Sequence, residues 1–166
     1  MQLIFIVEAN NDSQSDYLYI SETVKKYYNV LGHKLTPVNL EGKGNYDKKK
    51  KKEEINKNIA KYDGPTHVFM CYDIDNQNKP SYSLNPLIEN YAEENGYELI
   101  WFYEDIEQVY LGESVSNNVK TLKAKQFVAH NDIDGVQEIN LNQKAISRKK
   151  SSNILVVLDK WLSRKH

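Results

Sequence analysis

One cysteine, four prolines and seven glycines are spread through 166 residues, and no apolar run approaches the length of a membrane span. Cys71 stands alone inside the run His67-Val68-Phe69-Met70-Cys71, so there is no disulfide framework and the thiol reads as a small buried filler. The opening run, Leu3-Ile4-Phe5-Ile6-Val7, is too short to cross a bilayer and lacks the basic flank and small-residue cleavage site of a signal peptide. A cytoplasmic protein without a membrane partner is expected. The glycine pair Gly42-Lys43-Gly44 falls short of the full phosphate-loop pattern, which argues against P-loop or dinucleotide binding. His130 has no Ser or Cys nucleophile beside a strand and reads as an ordinary polar histidine. Basic residues are missing between Ser81 and Val119, where Glu89, Glu93, Glu94, Glu98, Glu104, Asp105, Glu107 and Glu113 crowd together, although the formal net charge is only -1.

The length fits one domain, large enough to bury a core without metal or disulfide staples. We expect it to span 1–166, with a core over 1–111 and a C-terminal extension over 112–166. Tyr17, Leu18, Ile20, Val24, Tyr27, Tyr28 and Leu31 recur at helical spacing after Asn11, Asp12 and Ser13, which suit a helix cap. Gly32 stops that helix, and Lys34 to Leu40 alternates as a strand whose Pro37 calls for an edge position. Glu53 to Tyr62 forms a weaker amphipathic helix, broken by Asp63-Gly64-Pro65 ahead of the strand that ends at Asp73. A helix over Asn85 to Asn95 leads through Gly96 to a strand over Tyr97 to Tyr103. Short helices at Ile106 to Leu111 and Asn117 to Lys125, a strand within Phe127 to Leu141, and an apolar-faced helix over Ser152 to Ser163 complete the reading. Strands alternating with helices predict an α/β fold, a Rossmann-like parallel sheet of about four strands in the order 2-1-3-4 with helices on both faces.

In such a sheet, ligands bind beyond the carboxyl ends of the strands where the strand order reverses, here between the first and third strands. Glu8 ends the first strand and Tyr72-Asp73-Ile74-Asp75 ends the third. In an extended segment Asp73 and Asp75 point the same way. Two ionised carboxylates about 5 Å apart repel by roughly 3 kcal/mol at an effective dielectric near 20, so the cluster should bind a cation or hold a proton. Oxygen donors without a nearby His or Cys favour Mg²⁺ or Mn²⁺ over zinc. Each acid alone is explained by a loop start or a neighbouring helix N-terminus; their joint placement is what points to a site. Positive charge collects in Lys48 to Lys52 and in Lys144, Arg148, Lys149, Lys150, Arg164 and Lys165, where a polyanion could dock or a mixed-sign surface simply be solvated. Lys48 to Lys52 stand ahead of Glu53 and Glu54, the less favourable order for a helix, which suits a basic loop.

Val7-Glu8, Gly42-Lys43-Gly44 and Tyr72-Asp73-Ile74-Asp75, in this order, resemble the Toprim domain of topoisomerases, primases, recombination-repair proteins and a group of nucleases. Among these the chain is most similar to small RloB-like and OLD-like Toprim proteins of phage defence and mobile elements, over roughly its first two-thirds. The resemblance implies a Toprim fold and Mg²⁺-dependent phosphodiester hydrolysis of DNA or RNA. It implies Asp73 and Asp75 as metal ligands and Glu8 as a ligand or general acid/base. Glu107, ahead of the apolar segment Gln108-Val109-Tyr110-Leu111, is the expected additional catalytic carboxylate, with Glu104 and Asp105 as alternatives. Lys43 would neutralise a substrate phosphate. Toprim proteins usually have Gly straight after the first Glu, whereas this chain has Ala9; a turn needing positive φ would be strained there unless Asn10 took the left-handed conformation. That departure favours an alternative, a non-catalytic Toprim-like module that binds metal or a protein partner through the acidic 89–113 region. A third expectation is a receiver-like phosphoacceptor domain, for which no lysine on a fifth strand is evident.

Overall fold

Leu3, Phe5 and Val7 alternate with Ile4 and Ile6 along β1 (Gln2–Val7), so both faces of this strand are apolar and both must be covered. The computed structural model, which describes residues 1–165, covers them with helices on either side. β1 lies in parallel between β2 (Lys34–Asn39) and β3 (Thr66–Asp73), and β3 pairs in parallel with β4 (Glu98–Tyr103). β5 (Ser151–Ser152) adds an antiparallel strand, giving a five-stranded sheet in the order β2-β1-β3-β4-β5. Pro37 sits on the outer strand β2, opposite Phe5, where its missing N–H breaks no ladder. The expected 2-1-3-4 order is thus present, extended by a strand too short and polar to announce itself.

On one face, α1 (Ser15–Tyr27), α4 (Ile106–Leu111), α5 (Lys120–Ala129) and α7 (Ile154–Leu158) bury Tyr19, Ile20, Val24, Val109, Phe127 and Leu155 against Leu3, Phe5, Phe69 and Phe102. Tyr19 stacks on Tyr110 at 5.1 Å between ring centroids and meets Phe127 edge-on at 5.0 Å. On the other face, α2 (Lys49–Ala60) and α3 (Asn85–Glu94) set Ile55, Ile88 and Ala92 on Ile4, Ile6, Val38, Met70 and Trp101. The C-terminal extension shares the first of these cores with the N-terminal strands, so it belongs to the same packing unit.

Four local expectations are corrected. Asn10 to Ser13 form a turn in which the Asn10 carbonyl accepts the N–H groups of Ser13 and Gln14, and Gln14, at φ 46, stands at the cap of α1 in place of Asn11, Asp12 or Ser13. Lys49 to Lys52 are helical: Lys51 lies buried with its ammonium 3.6 Å from Glu54, one turn on, and 3.6 Å from Glu41, a contact from the loop after β2 that helical spacing does not reach. Phe127 to Leu141 contain no strand. Ala124 and Phe127 share the buried face of α5, Asn131 reverses the chain at φ 58, and a turn at Asp132–Gly135 leads into α6 (Glu138–Leu141). The last helix is also shorter than its apolar pattern suggests, ending at Leu158.

The β4 edge beyond β5 is closed by one side chain. Asn153 accepts the Trp101 N–H at 2.9 Å and donates to the Leu99 carbonyl at 3.0 Å, standing in for a missing strand residue. Asn153→Ala is expected to cost about 1–3 kcal/mol, because two backbone groups lose their partners. Urea unfolding that leaves the midpoint within error of the wild type would show that water replaces the amide. Among the described residues no helix is long and apolar enough to cross a membrane.

Candidate functional site

The site is assembled at the carboxyl end of the sheet, where the winding direction reverses: one crossover runs outward from β1 to β2, and the next returns from β2 past β1 to β3. Glu8 follows β1, and its Oε1 accepts the N–H of Asp73 at the end of β3, at 3.0 Å. The chain leaving β2 folds back over this end: Leu40 N–H donates to the Val7 carbonyl at 2.8 Å and Gly42 N–H to the Glu8 carbonyl at 3.0 Å. Gly42 adopts φ 121, a conformation open to glycine and costly for other residues. The next residue, Lys43, is therefore turned inward, where its ammonium donates to the Asp73 carbonyl and, at 2.8 Å, to Asp75 Oδ2.

Three further elements complete the ring. Asp16, in the first turn of α1, accepts the Ala9 N–H at 3.0 Å and the Ser15 hydroxyl at 3.1 Å. Asp73 Oδ1 accepts the Ile106 N–H at 2.9 Å, and Asp105 caps α4 by accepting the Gln108 N–H at 2.8 Å. Lys120, at the start of α5, reaches across to Glu107 at 3.0 Å. Between these groups lies a crevice with two lobes of about 420 Å³ each, both bounded by Glu8, Asp73, Asn117 and Lys120. One lobe extends to Asp16 and Glu41, the other to Lys43, Asp75, Lys79 and Asp105.

The acids share a poorly hydrated space, and their protonation reflects it. Burial pushes Glu8 up to about 7, against the opposing influence of Lys43 and of the Asp73 N–H, while Asp16 and Asp75 push it further up. Asp73 is raised well above the usual carboxylate range by burial and then by Glu8, Asp16 and Glu107. Burial also raises Asp16, with Lys120 working the other way. Asp75 is the exception: burial would raise it, but Lys43, Ser81 and Lys79 together hold it below its ordinary value.

A carboxyl raised in the folded state binds more protons there than in the unfolded chain, so stability falls as pH rises between the two values. For Glu8 this window runs from 4.5 to about 7. Glu8→Gln should remove its share, on the order of 1–3 kcal/mol, of the decline. Denaturant unfolding at pH 5 and pH 7.5 checks this, and a decline as steep in the variant as in the wild type would assign it to the other raised carboxyls, Asp16, Asp73 and Glu107.

The expected site residues fare differently. Glu8 and Asp73 are brought together, and Lys43 stands at the crevice as expected from its loop. Asp75 lines the same crevice but does not join Glu8 and Asp73 as a third free carboxylate. β3 ends at Asp73 and Asp75 takes φ 64, so the two-residue period of an extended strand no longer governs where it points. Its oxygens are taken by Lys43 at 2.8 Å, Lys79 at 3.2 Å and Ser81 at 2.9 Å. Glu107 is turned inward by the first turn of α4. Its side chain is 0% exposed, and it meets the crevice only through Lys120, so a catalytic role in direct contact with substrate is not what this geometry offers. Glu104 pairs with Lys149 at 3.1 Å on the far side of β4. Ala9 and Asn10 have no positive φ, so the strain expected after Glu8 is absent; the Ala9 N–H is instead fixed by Asp16.

Among the described residues, no group of three His, Cys, Asp or Glu side chains is arranged to hold a metal ion. The donors are nevertheless chemically suited to a hard cation, since Glu8, Asp16 and Asp73 offer only oxygens, and Asp16 raises both Glu8 and Asp73. Asp16 and Lys120 escaped the sequence reading. A signal existed for both: Asp16 is the first acid of the helix leaving β1, and Lys120 is the first basic residue after the long stretch without any.

An α/β sheet with an acid-lined, lysine-flanked crevice at its switch point is the class that fold and site define. Comparison with protein-family models, with curated proteins and with solved structures finds no match for the chain.

Proposed function

We propose that the crevice is a Toprim-like site that hydrolyses phosphodiesters of DNA or RNA with Mg²⁺ or Mn²⁺, in a cytoplasmic nuclease of the kind used in phage defence or by mobile elements. The observation that carries this reading is the junction of Glu8 with Asp73 at the ends of β1 and β3, with Lys43 and Lys120 beside them. Mg²⁺ is commonly held by one or two carboxylates together with substrate phosphates and water, so a ready-made cage of three acids is not required. Asp73 would hold the ion, with Glu8 either as a second ligand or as the acid/base beside it, and Asp16 would add negative charge behind them. When bound, the cation would polarise the phosphodiester and make a water acidic enough to attack. Lys120 and Lys43 offset the charge of the scissile phosphate. Glu8, raised to about 7, is suited to exchange a proton with water or the leaving oxygen near neutral pH.

A second reading, a non-catalytic module, is favoured by one observation: Asp75 is already neutralised by Lys43 and Lys79, so part of the crevice is satisfied without a cation. Its acidic 89–113 surface is less open than the sequence suggests. Glu89 accepts the Tyr72 hydroxyl, while Glu98, Glu104 and Glu107 pair with Lys160, Lys149 and Lys120. The receiver-like reading lacks its cation on the last strand, since β5 is antiparallel and consists of Ser151 and Ser152.

The readings separate when Mg²⁺ and Mn²⁺ are titrated into the wild type and Asp73→Asn, with and without a mixed-sequence oligonucleotide, and thermal unfolding is followed. The nuclease reading expects Tm to rise with metal, more so with oligonucleotide, and the rise to vanish in Asp73→Asn, with metal-dependent cleavage of DNA or RNA. Metal binding without cleavage would assign the chain to the non-catalytic module. No response to metal in any combination would remove the metal site.

A further inference from the structure

Behind Asp75, on the side away from Glu8, lies a separate cavity of about 500 Å³. Its walls differ in kind from those of the crevice. Tyr82, Tyr103, Pro86 and Ile146 supply aromatic and aliphatic surface, and the carboxamides of Asn76 and Gln77 supply neutral donors and acceptors. The charged groups here are engaged: Glu104 pairs with Lys149 at 3.1 Å, and Glu89 accepts the Tyr72 hydroxyl at 2.7 Å. Glu104 and Lys149 offset one another, and the remaining aromatic and carboxamide surface suits a flat, hydrogen-bonding ligand.

Asn85 is buried behind the wall with its amide N–H donating to the Ile74 carbonyl at 2.7 Å, so it shapes the cavity and is not itself open to a ligand. Tyr82 is 41% exposed at the wall, an aromatic face of the type on which bases stack regardless of sequence. The volume lies within the ~300–1,000 Å³ range of small-molecule sites.

Asp75 is the shared wall. Its carboxylate and its Lys43 and Lys79 partners border the phosphodiester crevice, while the residue also lines this cavity. We propose that the cavity is a nucleobase subsite, taking an unstacked base of a single-stranded substrate whose phosphate lies in the crevice, with Tyr82 as the stacking face and the Asn76 and Gln77 amides reading the base edge. This assignment rests on the phosphodiester reading and names its substrate class as single-stranded nucleic acid.

Calorimetric titration in EDTA tests it with the four nucleoside 5′-monophosphates, a trinucleotide and ribose 5-phosphate as the base-free probe. At least one nucleotide is expected to bind tenfold or more tightly than ribose 5-phosphate, on the order of one stacked base, and the trinucleotide more tightly still. Tyr82→Ala should weaken nucleotide binding about 5- to 100-fold, whereas Tyr82→Phe, which keeps the ring, and Leu87→Ala, exposed on α3 outside the cavity, should not. Equal binding of ribose 5-phosphate and nucleotides, no binding of either, or discrimination that survives Tyr82→Ala overturns the subsite. Nucleotide binding that a trinucleotide does not improve reassigns the cavity to a free nucleotide and overturns the strand assignment. Base discrimination in a protein that never cleaves a phosphodiester sinks the hydrolytic reading alone, and cleavage without base discrimination sinks the subsite alone.

Discussion

Lys120→Met is expected to lose about 3–5 kcal/mol of stability at neutral pH, more than any surface substitution in this chain. The pair it breaks is unequal: the Glu107 side chain is 0% exposed and that of Lys120 29%. Removing the lysine therefore strands a buried carboxylate, and one Glu107 oxygen already lacks a hydrogen-bond partner. The same lysine lowers the proton affinity of Asp16 and Asp73, so two further acids lose a stabilising charge. Burial would lower Lys120 itself, but Glu107 and then Asp73 and Asp16 hold it above its ordinary value, the signature of a cation within an acidic ring.

The sign of the pH dependence follows. Burial pushes Glu107 above 4.5, and without Lys120 it would rise further, so the folded variant takes up a proton that the unfolded chain releases. Its stability is greatest below the ordinary carboxylate value and is lost as pH rises. The deficit relative to the wild type should shrink as pH falls from 8 towards 4.5. Glu107→Gln in the Lys120→Met background should recover most of the loss, since a neutral amide replaces the stranded charge. Guanidinium unfolding of the single and double variants measures this, and a double variant no more stable than the single would place the cost elsewhere.

Glu8→Gln is expected to lower metal-dependent phosphodiester cleavage by about 10²–10⁴-fold, the usual contribution of a positioned acid or base. The substitution preserves shape and the acceptor that meets the Asp73 N–H at 3.0 Å, so the loss would report chemistry more than folding. Wild-type kcat/KM should rise with pH through a limb at or below about 7, because Glu8 is held near 7 without metal and a nearby cation lowers it. In the variant the limb should be absent. An unchanged limb with a reduced plateau would make Glu8 a ligand or positioning group and pass the proton transfer to Asp16 or water.

Much of the arrangement is legible before any coordinates. Pro37 marks β2 as an edge, the alternation of strands with helices calls for helices on both faces, and the turn at Asp63-Gly64-Pro65 separates α2 from β3. These readings succeed because backbone period and turn chemistry act over a few residues. The failures have one cause as well. A strand period does not extend past Asp73 to Asp75, and a position ahead of an apolar segment does not say which way Glu107 faces; φ at Asp75 and the first turn of α4, with Lys120 opposite, settle these. The basic run at Lys48 to Lys52 shows the same limit, since its buried member Lys51 is anchored in part by Glu41, from the loop after β2.

By itself the sequence determined the four parallel strands, their order and the arrival of Glu8 and Asp73 at neighbouring strand ends, because these follow from local periodicity and the handedness of crossovers. Only the tertiary structure decided which charges compensate one another. It brought Lys43 to Asp75, Lys120 to Glu107, and Asp16 into the crevice with Glu8 and Asp73. The energies of those encounters depend on distance and desolvation, and neither exists until the helices have packed.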